Sequence, residues 1–296
     1  MMNVKKVQMK QLMPYFLLLP AFIYYALFWA YPVINGIFQS FTDQQNRLTL
    51  NNYIYLFKEI DFSTAMLNTA IFVISSVLLQ YVLALAMALL LNRKFKGSKW
   101  VLFLMLIPMA ITPTAVAILW KTALSTTGWV NTWLLQLNVI NQPIVFLDSN
   151  GIQLILLLVM IDSWTVLPSV MIIILAGLQN LNKELKEAGL VFGATRLQVI
   201  KDIVIPILKP SIVTSIILRM IAATQIWALS VMLLGFNRMP FMVERIAYYV
   251  ERMTGIEGSI KISYAMSMIV ALIIFITTII YYKVSKRSSL MGGMQS

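Results

Sequence analysis

Six stretches of this sequence, at approximately 14–38, 68–91, 100–121, 152–176, 211–235 and 263–283, are each long and apolar enough to cross a lipid bilayer. About 20 mostly apolar residues suffice, because roughly 30 Å of hydrocarbon is crossed at about 1.5 Å of helix rise per residue. Inside lipid the backbone must satisfy its own hydrogen bonds, so these runs are expected to be helices. Composition agrees: 60% of the 296 residues are hydrophobic and 11% are charged, against about 25% charged in a typical soluble domain. The expected fold is an all-α integral membrane protein with six transmembrane helices. It forms a single transmembrane domain over 1–296, with no internal repeat, low-complexity tract or soluble domain.

Lys5, Lys6 and Lys10 precede the first run much as they would in a signal peptide. That run is too long for a signal h-region, is rich in aromatics and lacks a small-residue cleavage site. It reads as a retained span in which Pro14, Pro20 and Pro32 are tolerated because neighbouring helices can support the freed backbone.

Orientation follows from where the Lys and Arg residues fall. Of the 23, 15 lie on one side: before the first run, in the 92–99 loop, in segment 177–210 and after the last run. Seven lie on the other side, and Arg219 sits within the fifth run. Both termini are therefore expected on the cytoplasmic side. The net charge of +12 is read as topology-setting charge; no nucleic-acid-binding signature accompanies it. Of the outer segments, 39–67 carries an aromatic cluster (Tyr53, Tyr55, Phe57) suited to headgroup level. Segment 236–262 mixes Arg238, Arg245 and Arg252 with Glu244, Glu251 and Glu257. Either segment could dock an external partner or simply be solvated.

The sequence has no Cys and no His. Disulfides, thiolate metal sites and cysteine nucleophiles are excluded, and the usual general base and commonest metal ligand are missing. No Gly-x-x-x-x-Gly-Lys-Ser/Thr run cradles a phosphate. The chain is therefore expected to have no ATPase site, cofactor or metal of its own, and an intramembrane enzyme would need a Ser or Asp site that the sequence does not assemble. The 19 Met residues are read as adaptable packing.

The segment between the fourth and fifth runs has structure of its own. Asn182 is a plausible N-cap for a short helix with Leu181, Leu185 and Ala188 on one face. Gly193 offers a break. A capping box, Thr195-x-x-Gln198, then opens a second helix in which Leu197, Ile200 and Val204 recur at helical spacing. Pro206 and Pro210 are expected to stop that helix before the fifth span. The result is a helix–Gly–helix knob whose apolar face suits a groove on another protein.

Glu187-Ala188-Gly189, then Gly193-Ala194, then Ile203-x-x-Pro206 resemble the EAA motif of ABC importer permeases. Trp164-x-x-x-Pro168 and Leu175-Ala176-Gly177-Leu178-Gln179 look like the span before that motif in the carbohydrate-type members. Pro206-Ile207-Leu208-Lys209-Pro210 resembles their run after it. The likeness covers the six-span layout and is sharpest over 160–230. Family members usually carry Ala at the position of Gly189, Asp at Phe192 and Leu at Ile205, and a Gly-Gly-Pro turn where this chain has 235–240.

The resemblance implies the six-helix fold of a type I importer permease in a bacterial cytoplasmic (inner) membrane. Residues 182–206, and among them Glu187, Ala188, Gly189, Gly193, Ala194 and Pro206, would receive a separate ATPase dimer that holds the ATP and Mg. A second related permease, as a heterodimer, and an extracytoplasmic solute-binding protein would complete the importer. The solute would be a sugar or sugar-like molecule, or alternatively a non-sugar such as glycerol phosphate or a peptide. A secondary carrier or channel without an ATPase is the reading from another class, against which the missing inverted repeat and the knob both speak.

By the same resemblance the solute path runs through the fourth and fifth spans. Polar and aromatic residues there are Asp162, Trp164, Thr165, Thr224, Gln225, Trp227 and Ser230. Gln225 with Trp227 suits hydrogen bonding and ring stacking to a sugar; such residues also serve as glue between membrane helices. Asp162 and Arg219 are the two intramembrane charges, expected to pair with each other or each with a partner subunit.

Overall fold

The computed structural model describes residues 2–149, 151–251 and 258–292, and among them every named element is a helix. The apolar runs form α1 (Tyr15–Ser40), α3 (Ile60–Asn92), the pair α4 (Ser98–Ala110) and α5 (Pro113–Ala123), α7 (Ile152–Gln179), α9 (Arg196–Thr224) and α12 (Ser259–Lys283). Shorter helices join them: α2 (Asn51–Lys58), α6 (Trp129–Gln136), α8 (Lys183–Val191), α10 (Ala228–Leu234) and α11 (Met242–Glu251).

Two of the six expected spans differ from the simple reading. The 100–121 run is bent by 99° between α4 and α5, so it is a broken span or a re-entrant segment rather than one rod. Pro108 and Pro113 flank the bend. The residue before a proline is pushed out of the helical region, and Ile111 and Thr112 are both extended (ψ 134° and 149°). Thr112 then caps the new helix by accepting from the Ala115 N–H at 3.4 Å.

The span expected at 211–235 is also displaced. Pro206 and Pro210 do not stop the preceding helix; α9 runs through both to Thr224. A proline ring clashes with the carbonyl four residues earlier, which for Pro206 is that of Asp202. Asp202 lies in a π-helical turn, Val199–Val204, whose wider winding moves that carbonyl away. The second helix of the knob is therefore the start of the fifth span. That span breaks at Gln225–Trp227 before α10.

The most extensive packing is α3 against α7. The buried face of α3 carries Ala65, Thr69, Ser76, Gln80, Ala84 and Ala88 at steps of four or seven residues. Small residues at that spacing let membrane helices approach closely, which matters where lipid supplies no hydrophobic drive between them. By contrast, none of the apolar window of α1 is buried within this chain.

On the face opposite the knob, the loops are neither wholly solvated nor free. Arg245 on α11 is 2% exposed and pairs with Glu59 and, at 3.3 Å, with Asp61, at the junction of α2 and α3. Tyr249 donates to Glu59, and Arg245 donates to Asn237 Oδ1 at 3.0 Å. Glu244, 1% exposed, accepts from the Asn237 N–H. Burial pushes the Glu244 carboxyl up to about 7 despite the Asn237 and Phe241 N–H groups and Arg245, which pull it down. Burial likewise raises Glu59. Arg238, half exposed, reaches Asp148 at 3.1 Å, Tyr53 donates to Ser40 Oγ at 2.8 Å, and Tyr55 and Phe57 are exposed. Arg252 and Glu257 lie outside the described residues.

Candidate functional site

The knob is built by local rules. Asn182 Oδ1 accepts the Glu184 N–H at 3.1 Å and starts α8. The helix closes in a Schellman arrangement: Gly193 N–H to Leu190 O and Ala194 N–H to Gly189 O, both 3.0 Å. This needs a left-handed residue after the helix, and Gly193 supplies it at φ +84°. The capping box follows, with Thr195 N–H to Gln198 Oε1 at 2.7 Å and Gln198 N–H to Thr195 Oγ1 at 3.3 Å.

Gly189 explains one departure from the EAA pattern. A Cβ there would stand 2.7 Å from Ile203 Cδ1 and 3.2 Å from Val199 Cγ2. The glycine lets α8 lie against the π-helical turn of α9 more closely than alanine would. Glu187, Ala188 and Gly193 are exposed, Gly189 and Ala194 are part-buried, and Pro206 sits away from the tip, in the membrane end of the segment. The tip itself is apolar, with Val191 85%, Phe192 90% and Leu197 75% exposed. Of the face expected from Leu181, Leu185 and Ala188, only Leu181 is buried; the other two point outward.

The two broken spans meet: α5 packs on α10. Irregular backbone at membrane depth is tolerated where it is buried in protein or lines an aqueous cavity, and half-helices of this kind form solute sites in transporters. Gln225 is exposed at the break, while Trp227 Nε1, Ser230 Oγ and Trp120 Nε1 are buried without a hydrogen-bond partner. Trp120 stands edge-on to Trp164, ring centroids 5.8 Å apart. Trp164 lines a 390 Å³ cavity with Leu104, Met105, Pro108 and Pro168. Thr224 and Thr165 bond back to their own helices, to Met220 O and Asp162 O, both at 2.8 Å. They make no cross-helix hydrogen bond among the described residues.

The two intramembrane charges pair directly: Arg219 on α9 donates to Asp162 on α7. Gln80 on α3 closes a triangle. Its amide oxygen accepts from Arg219 Nε at 2.6 Å, and its nitrogen donates to Asp162 Oδ2 at 2.8 Å and to Ser163 Oγ at 3.3 Å. Three spans are thereby pinned at one depth. Nearby, Tyr81 on α3 donates to Ser215 on α9. Sequence reasoning missed Gln80, although in the 68–91 run it is the one amide besides Asn68 at the very start. It also missed Trp120, which the reading of α4–α5 as a plain span left without a role.

A family model described as binding-protein-dependent transport system inner membrane component matches residues 80–289. The chain belongs to this family. It is 26% identical over 280 residues to the trehalose/maltose transport system permease protein MalF of Thermococcus litoralis, covering 92% of this chain and 93% of that protein. It is 26% identical over 208 residues to the sn-glycerol-3-phosphate transport system permease protein UgpA of Agrobacterium fabrum, covering 68% and 70%. Its fold matches a chain of a bacterial alginate ABC transporter, solved in complex with an alginate pentasaccharide-bound periplasmic protein. The TM-score is 0.83 at 23% identity, covering 96% of each chain. The protein is thus an ABC importer permease, a multi-pass membrane transport subunit.

Proposed function

We propose that this chain moves a sugar or sugar-like solute across a bacterial cytoplasmic membrane by alternating access, with both termini and the knob on the cytoplasmic side. A separate ATPase dimer docks on residues 182–206, a second related permease packs beside the chain, and an extracytoplasmic binding protein delivers the solute. The carrying observation is the knob: a doubly capped turn that leaves Val191, Phe192 and Leu197 exposed. Exposed apolar surface of this kind marks a protein contact. Because α9 is continuous from Thr195 into the membrane, a push on the knob moves the fifth span as a rigid lever. The orphaned polar groups of Trp120, Trp227 and Ser230 beside the Gln225 break supply donors for solute hydroxyls. The apolar flank of α1 faces the second permease or lipid.

The sugar assignment leans on MalF and the alginate importer; UgpA keeps a phosphate ester as the second reading. Gly193→Val places a β-branched residue at φ +84° and deforms the docking turn. In the reconstituted importer it is expected to cut uptake at least about tenfold, since such strain costs about 1–2 kcal/mol and misplaces the contact. Unchanged uptake by a variant present at normal level in the membrane would overturn the docking assignment. Competition of uptake by maltose against glycerol 3-phosphate separates the two solute classes.

A further inference from the structure

Immediately after α3 the chain turns sharply. Lys94 adopts φ +50° and Gly97 φ +97°, and the Lys94 N–H closes on Leu91 O at 3.0 Å. A lysine in the left-handed region is uncommon. The turn aims Arg93 and Lys94 into a run of adjoining cavities. The first, of 520 Å³, lies between Lys94, Lys99, Trp100, Leu102, Leu175 and Gln179. The next, of 350 Å³, shares Lys94 and Gln179 with it and adds Arg93 and Lys186. The third, of 280 Å³, shares Arg93 and Lys186 and runs on past Arg196 over Leu190, Val199 and Val204.

The groove therefore has a basic rim and an apolar floor. Arg219 and Arg245 are ion-paired, but Arg93, Lys94, Lys99, Lys186 and Arg196 have no salt bridge or side-chain hydrogen bond among the described residues. Beside it Trp100, 72% exposed, and Phe103, 58% exposed, stand edge-on at 6.3 Å at the start of α4, aromatics of the type enriched at headgroup level. With six crossings, as the apolar runs and the positive charges predict, the same side carries 15 Lys and Arg against three acids, Glu184, Glu187 and Asp202. The opposite side carries seven of each, so the whole net charge of +12 lies on the knob side.

We propose that this groove binds an anionic phospholipid of the knob-side leaflet, its phosphate among Arg93, Lys94 and Lys186 and its acyl chains on the apolar floor. Basic pockets between spans on the cytoplasmic side are suited to such headgroups. Free phosphate would satisfy the rim and leave the floor unused. The bound lipid would tie the end of α3 to Lys186 and Arg196 at the root of the knob, joining two elements that share few polar contacts. The inference is independent of which solute is carried.

The test measures phosphatidylglycerol retained by the full chain, purified with its accompanying subunits into phosphatidylcholine nanodiscs doped with phosphatidylglycerol, by native mass spectrometry. The variant Arg93→Gln/Lys94→Gln/Lys186→Gln is compared with Lys96→Gln/Lys201→Gln/Lys209→Gln, which removes equal charge from the same side outside the groove. Affinity is expected to fall about fivefold per charge removed in the groove, and to change little in the control. The charge-preserving Arg93→Lys/Lys186→Arg should retain the lipid, which separates lost charge from lost fold. Equal loss in both triple variants, no loss in the groove variant, or displacement of the lipid by inorganic phosphate alone would overturn the assignment.

Discussion

Inside the spans Arg219, Asp162 and Gln80 form one buried cluster; on the face opposite the knob Arg245, Glu59, Asp61 and Tyr249 form another. Each places an arginine between helices far apart in sequence, 57 residues apart within the spans and 186 in the loops. Their balance differs. The inner cluster matches one cation to one anion, with 8% and 15% side-chain exposure, and a neutral amide fills the remaining valences. The loop cluster sets one arginine, 2% exposed, against two carboxylates, 19% and 44% exposed, and leaves Arg245 Nε and Glu244 Oε2 unpartnered. Where lipid surrounds the site, every charge must be met by protein; where water is a few ångströms away, an imbalance is tolerable. The inner cluster is thus built to be closed, and the loop cluster to be adjustable.

The largest expected effect tests closure. Arg219→Leu strands Asp162 among three spans and should cost about 3–5 kcal/mol, the range for breaking a buried pair. The thermal midpoint of the purified protein would fall sharply. The double variant Asp162→Leu/Arg219→Leu removes both charges and should recover most of that loss. A double variant as unstable as the single one would mean that the pair contributes net stability rather than meeting its own desolvation cost.

Arg245→Met is the matching cut in the loops. Glu59 and Asp61 lose their shared cation, but both can turn toward solvent, so roughly 2 kcal/mol is expected, less than for a sealed pair. The same thermal measurement compares the two; a loss equal to that of Arg219→Leu would break the contrast drawn between them.

Adjustability also predicts a pH dependence. The Glu244 carboxyl has its folded pKa raised from 4.5 to about 7 by burial, so in this range the folded state binds more protons than the unfolded one. Stability of the loop cluster is then greatest below about pH 4.5 and declines as pH rises to about 7, where it levels off. Raised Glu59 adds in the same direction. Glu244→Gln should remove most of this slope across the window, read as the pH profile of local amide exchange over 236–251. An unchanged profile would remove Glu244 as its source.

The two clusters were unequally legible. Arg219 and Asp162 stand out in sequence because charge inside an apolar run needs a partner, and Asn182, Gly193 and the Thr195–Gln198 box marked the knob because capping is local chemistry. Pro206 misled: its usual effect as a helix stop was cancelled by the π-helical turn over 199–204, which no side-chain pattern announces. The bend at 111–112 was written in Pro108 and Pro113 but was overridden by the length of the apolar run. The break at Gln225–Trp227 has neither Gly nor Pro and accompanies the packing of α10 on α5, a tertiary contact that local sequence does not announce. Burial of Arg245 depends on Glu59, 186 positions away, and loop composition alone reads as solvated.

Gln80 gives the smallest and sharpest test of the inner cluster. Its amide is the one group that touches both charges, yet it carries none, so its removal changes hydrogen bonding without changing balance. Hydrogen bonds between membrane helices average about 0.6 kcal/mol because the alternative state also finds partners. Gln80→Leu, similar in volume, should therefore lower stability by only about 1 kcal/mol while Arg219 and Asp162 remain paired. Gln80→Glu would instead set two carboxylates against one arginine, copying the ratio of the loop cluster at a depth where water cannot relieve it. If charge balance rather than hydrogen-bond count governs this site, the charged variant must be the less stable of the two in the same thermal scan, despite keeping the acceptor that faces Arg219.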